Sequence, residues 1–174
     1  RAAEEISRAF PGFPVVISAG EVIKDSVDSR PALVLSTPGA QPVVAGGYSA
    51  VVVLDAIRFF SHTDINGQER ARELLFETAS LACSDGQVLL VLDDSHPIVA
   101  ALARWNIAPL LKRELAERAE LKLPPSAITA VLVMEQTSAS PILSGLKKAL
   151  QDGRLPSSTR IFGTTILPKG QAKI

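Results

Sequence analysis

Four uninterrupted apolar runs constrain this chain more than any other feature: PVVIS at 14–18, ALVLST at 32–37, AVVVLDA at 50–56 and QVLLVLD at 87–93. None alternates polar with apolar residues, so none reads as a strand with one wet face. Short continuous runs bounded by turn residues read as strands covered on both faces. Between the last two lies a helical stretch over 66–82, and a second helix is expected over 97–104. Strands of this kind alternating with helices predict an α/β fold with a parallel, helix-covered sheet. The first ten residues read as the end of a helix with Ile6, Ala9 and Phe10 on one face, closed by Pro11-Gly12.

The character changes after Trp105. The segment NIAPLLKRELAERAELK at 106–122 is a charged helix in which Glu114 and Arg118 stand four residues apart in the favourable orientation, and Pro124-Pro125 must end it. Beyond it, AITAVLVMEQ, SASPILSGLKKALQDGRLP and STRIFGTTILP read strand, helix, strand. A lone β-α-β unit leaves a sheet face and an edge bare, so this second domain is expected to be incomplete. The expected division is 1–122 and 123–174.

Charge follows the same division. Residues 1–104 hold 8 Lys and Arg against 13 Asp and Glu, a balance of −5, and residues 105–174 hold 10 against 5, a balance of +5. The basic part could face nucleic acid or the acidic part of its own chain. No run reaches the roughly 18 apolar residues of a membrane span, so no membrane partner is expected. The chain lacks an initiator Met and a signal-like start, which suggests a piece of a longer protein. One cysteine, Cys83, rules out an internal disulfide and suits a reducing cytoplasm.

Catalytic signatures are scarce. The sequence has no P-loop, no G-x-G-x-x-G and no G-x-S-x-G. With His62 and His96 as the only histidines, a His-rich metal or triad site is not expected. His96, between Asp93-Asp94-Ser95 and Pro97, reads as a helix N-cap, and Asp93-Asp94 as a turn rather than a Mg²⁺-holding pair. Cys83 sits in apolar sequence without a basic neighbour and reads as a small core residue. Trp105 could stack on a base or anchor a joint between domains.

Taken in order, LVLSTPGAQPVVAGGYSAVVVLDA (33–56), QERARELL (68–75), GQVLLVLDDSHPIVAALARWN (86–106) and ELAERAELKLPPS (114–126) resemble the C-terminal part of the PriA family of primosomal replication-restart DNA helicases. The resemblance implies the rear of a RecA-like helicase lobe 2 followed by the start of a small α/β DNA-binding domain. It implies forked or branched DNA, primosome and replication proteins and single-stranded-DNA-binding protein as partners. ATP with Mg²⁺, and zinc, would belong to the parent protein, with no cofactor held by this chain and the zinc cysteines ahead of residue 1.

In typical members an "ER" pair, matched by Glu69-Arg70, leads into a Gln-x-x-Gly-Arg-x-Gly-Arg motif whose arginines reach the nucleotide phosphates. Counting on, Glu77 falls at the glutamine, Ser80 and Cys83 at the glycines, and Leu81 and Ser84 at the two arginines. The stretch 73–92 contains no Lys, Arg or His at all. Arginines of this type are worth about 10³–10⁵ in the rate of phosphate hydrolysis, and neither Leu nor Ser can replace their charged fork. Upstream, Ser36-Thr37-Pro38 and PVVAGGYSA stand where the family has Gly-Thr-Gln and a Lys-Gly-His-Asp run; Thr37 and Asp55 keep their matching positions. The expectation is a helicase scaffold that has lost its motor chemistry.

The resemblance assigns DNA contact to the last β-α-β piece, where Lys147, Lys148, Arg154, Arg160 and Lys169 gather. Phosphate contacts there would give salt-dependent binding with little sequence preference. The alternative is a non-catalytic α/β scaffold that binds replication proteins rather than DNA.

Overall fold

The computed structural model describes residues 2–61 and 65–174. Arg1 and His62 therefore lie outside the described residues. The chain divides into two compact units, residues 1–110 and residues 111–174, so the division expected at 122/123 falls inside the second unit.

In the first unit, α1 (Ala2–Ala9) carries Glu4 and Glu5 in its first turn and Arg8 in its last, complementing the helix dipole. It stops where Gly12 takes a φ of 97°. The apolar runs become strands and pair in parallel, as their composition predicts. β1 (Val15–Ser18) pairs with β3 (Leu33–Ser36) in the register Val15↔Leu33 to Ser18↔Ser36. β2 (Ser26–Val27) pairs with β4 (Val43–Val44), and β5 (Tyr48–Val53) with β6 (Ala82–Leu90). These are separate two-stranded pairs rather than one continuous sheet. Ser18, fully buried at the end of β1, ties two loops together: its hydroxyl donates to Ala40 O at 2.7 Å and accepts from Lys24 N at 2.9 Å.

The core lies on one face of β5 and β6. Leu75 of α2 (Gly67–Ser80) and Ile98 of α3 (Pro97–Ala103) are completely buried against Val53, Ala56 and Ala101, with Phe59, Phe60, Phe76, Leu90 and Leu92 around them. The opposite face is bare: Val52, Leu54, Leu89 and Val91 are 50%, 65%, 59% and 52% exposed. This corrects the expectation of strands covered on both faces. Both faces are apolar, which is why the runs do not alternate, but the described residues cover only one.

Ser84-Asp85-Gly86, whose composition signals a turn, form an irregularity within β6. Tyr48 pairs with Ala82 and Ala50 with Gln87, so the residues between bulge out of the ladder. Glycine is required at both approaches: a Cβ on Gly86 would stand 2.7 Å from Tyr48 O, and one on Gly47 2.7 Å from Cys83 N. His96 caps α3 as its sequence context predicts, Nδ1 accepting from Ile98 N at 3.3 Å. Ahead of it, Asp93 accepts from the Ser95 hydroxyl and amide, and these bonds hold its carboxyl below the usual carboxylate range.

The division between the units falls within α4 (Ala108–Glu120). The second unit continues with β7 (Val133–Glu135), α5 (Gln136–Gln151), β8 (Thr165–Leu167) and β9 (Gln171–Lys173). Its sheet is antiparallel in the order β7-β9-β8, and α5 packs on β7 and β9. Ala139 and Ala172, 3% and 0% exposed, are small enough to let helix and sheet approach closely. Beyond the strand-helix-strand that the sequence predicts, a third strand, β9, is only three residues long and follows a Pro-Lys-Gly turn. Ile166 on β8 remains 67% exposed and Val133 on β7 57% exposed.

These two faces of β5–β6 predict unequal responses to substitution. Leu75→Ala should lower stability by about 2–5 kcal/mol through lost burial and a cavity, whereas Leu89→Lys should change it by less than about 0.5 kcal/mol. Urea unfolding followed through the single tryptophan, Trp105, measures both; equal losses would show that the outer face is buried.

Candidate nucleic-acid interface

α5 runs from Gln136 to Gln151 without a single acidic residue, and its last turns present Lys147 and Lys148 to solvent. Ala139, Leu143, Leu146 and Leu150 form its inward stripe, at helical spacing, which turns the lysine pair outward. Positive charge is also favourable at a helix C-terminus. The helix closes with Gly153 at φ 72°, its amide bonding Leu150 O and the next amide, of Arg154, bonding Ala149 O.

The other three candidates have different surroundings. Arg154 extends from this closure to the Asp152 carboxylate at 3.1 Å, with 65% of its side chain exposed. Arg160 reaches across the unit: one guanidinium nitrogen donates to Leu121 O at 2.6 Å and Lys122 O at 3.1 Å, and the group lies 5.7 Å from the Phe162 ring centroid. Those carbonyls belong to the C-terminal closure of α4, where Lys122 takes a φ of 52°. Arg160 thus supplies charge to the negative end of α4 and tethers the 158–164 connection to it. Lys169 lies in the turn between β8 and β9 at a φ of 61°, on a different element from the lysine pair.

A partner of this clamp was legible in the sequence. The Glu114–Arg118 pair forms at 2.9 Å, with side chains only 15% and 19% exposed for Arg118 and Glu114. The proline carbonyl was not foreseen: Arg118 also donates to Pro124 O at 3.1 Å, which holds the proline segment against α4. No sequence spacing signals a guanidinium-to-carbonyl contact of this kind.

In the first unit, Leu81 and Ser84 occupy dissimilar places. Leu81 caps the C-terminus of α2, its carbonyl accepting from Tyr48 N at 2.8 Å, and its half-buried side chain helps line a cavity of about 90 Å³ with Val34, Tyr48 and Thr78. Tyr48 donates to Pro42 O at 2.7 Å, and burial pushes its phenol above the usual tyrosine value. Ser84 is exposed on the β6 bulge. Among the described residues, no group of three or more His, Cys, Asp or Glu could hold a metal ion, and no helix is long and apolar enough to cross a membrane.

Comparison with known proteins places this arrangement. No family model matches the chain. It is 39% identical over 173 residues to the probable replication restart protein PriA of Mycobacterium leprae, and 36% identical over 177 residues to that of Mycobacterium tuberculosis, each match covering 98% of the chain. Over the span it covers, the chain is similar to these PriA proteins. It spans about a quarter of the length of these relatives, 26% in both. This similarity agrees with the resemblance carried by the ELAERAEL and Pro-Pro segment.

The Arg160 clamp gives a direct prediction. Arg160→Ala should lower the stability of the second unit by roughly 1 kcal/mol, because the exposed guanidinium gains little beyond its hydrogen bonds. Hydrogen exchange at the amides of the 158–164 connection should speed up at the same time; unchanged exchange would show that the contact does not order it.

Proposed function

We propose that this chain is the rear of a RecA-like helicase lobe 2 joined to a DNA-binding α/β domain, in a parent protein that recognises forked or branched DNA and promotes primosome assembly. The observation that carries the reading is the match to proteins named for replication restart over 98% of the chain. The parallel strand pairs with helices on one side suit such a lobe. The bare outer face of β5–β6 is then covered by other parts of the parent, since parallel strands are normally buried on both sides.

DNA contact is assigned to the second unit. Lys147 and Lys148 point outward from a helix with no acidic residue, and they take phosphates together with Lys169. Arg154 and Arg160 add to this contact while also holding Asp152 and the α4 carbonyls. Binding is electrostatic and follows DNA shape more than sequence. Replication proteins and single-stranded-DNA-binding protein are the protein partners of the parent, in the cytoplasm, and its ATP, Mg²⁺ and zinc sites lie outside this chain.

Fluorescence anisotropy with forked and linear DNA at low and physiological salt tests this. Binding should favour the fork, and Lys147→Gln with Lys148→Gln should weaken it and flatten the log–log salt slope by about 2. Absence of binding at low salt would favour a scaffold that meets replication proteins instead.

The motor is a separate matter. With Leu81 and Ser84 at the two arginine positions, DNA-stimulated phosphate release by the parent protein should be weak or undetectable, given the rate that such arginines contribute. Robust DNA-stimulated hydrolysis would refute the loss of motor chemistry while leaving DNA recognition intact.

A further inference from the structure

α3 closes at Arg104 with a paired arrangement of bonds: Trp105 N donates to Leu102 O at 3.0 Å and Asn106 N to Ala101 O at 2.9 Å. This closure needs its penultimate residue in the left-handed region, and glycine is the residue that adopts it without strain. α5 uses Gly153 in that place. α3 uses Trp105, at φ 48°. A bulky aromatic there is a backbone outlier, held by the bonds on both sides of it.

The strain is not offset by burial. The indole is 59% exposed, although it is the chain's only tryptophan and one of its largest apolar groups. One side rests on Phe76, ring centroids 5.1 Å apart at 53°, and Phe76 itself is packed at the margin of the core. The fold therefore holds a rigid, backed aromatic surface open to solvent. Arg104 is exposed next to it in sequence, while Glu73 and Glu77 are exposed on α2 beside Phe76. A ligand with an aromatic face and a negative backbone would find an exposed guanidinium on the residue next to the indole.

We propose that Trp105 is a stacking platform for an unpaired base of single-stranded DNA, with Arg104 on the phosphate side. The proposal rests on the DNA reading above, but its site lies in the first unit and is not among the basic residues assigned there. Stacking on an aromatic ring tolerates any base, as suits a protein that meets exposed single strands of arbitrary sequence.

The test uses the whole chain, short oligothymidylate, and an abasic oligomer of equal length. Oligothymidylate should quench Trp105 emission and the abasic oligomer should not. Trp105→Gly, which relieves the left-handed strain, should keep or raise the melting temperature while weakening oligothymidylate binding about 5- to 150-fold. Its affinity for the abasic oligomer should be unchanged, and Trp105→Phe should retain most of the base-dependent affinity. Two outcomes overturn the proposal while leaving DNA binding in place: equal affinity for both oligomers in wild type and variant without quenching, or a Trp105→Gly variant that melts well below wild type with base-dependent binding intact, which marks the indole as a packing anchor. Failure of the wild-type chain to bind any DNA at low salt removes the underlying reading as well.

Discussion

The first unit depends on the packing of two helices against one face of a parallel strand pair. Leu75 and Ile98 lose all solvent contact where α2 and α3 meet Val53 and Ala56, and the aromatic side chains of Phe59, Phe60 and Phe76 close the margin. Parallel pairing brings this constraint with it, because such strands need a crossover connection and the crossover helix must return to the sheet. β6 can enter the ladder beside β5 only because Gly47 and Gly86 leave room for neighbouring backbone, and Trp105 stands where it does because α3 ends against the same core.

The second unit solves a different problem with less apolar material. Its antiparallel sheet has three short strands and one covering helix, and small alanines at the contact let the helix sit close. Polar ties supplement that core. Arg118 links α4 to the proline segment, and Arg160 links the closure of α4 to the connection ahead of β8. Charges that look alike in composition thereby divide into two kinds. Arg118 and Arg160, whose forks can engage several acceptors, tie backbone segments together, while Lys147 and Lys148 remain at the surface of α5.

In the reading proposed above, Leu81 and Ser84 at the family's arginine positions and Lys147 and Lys148 on α5 belong together. The first unit has strand pairing and a helix-covered core, with Leu81 and Ser84 at the positions proposed for the arginines of phosphoryl transfer. The second retains basic groups suited to phosphate contact without chemistry. A scaffold that keeps DNA recognition after losing its motor, the reading proposed above, is consistent with both.

Much of this was determined by local sequence alone. The apolar runs specified the strands and their parallel pairing, the 66–82 and 106–122 periodicities specified α2 and α4, and Asp93 to Pro97 specified the cap of α3, because each signal is carried by residues within a few positions of one another. The resemblance to the PriA family was legible in the ELAERAEL and Pro-Pro segment. Only the tertiary structure decided which face of β5–β6 is covered, since both faces are equally apolar in sequence. It also decided that the Ser84-Asp85-Gly86 turn signal becomes a bulge inside a strand, that a three-residue β9 completes the second sheet, and that Arg160 serves a helix end nearly forty residues away. These depend on which backbone groups and surfaces meet across the chain, and no local pattern of residues encodes such a meeting.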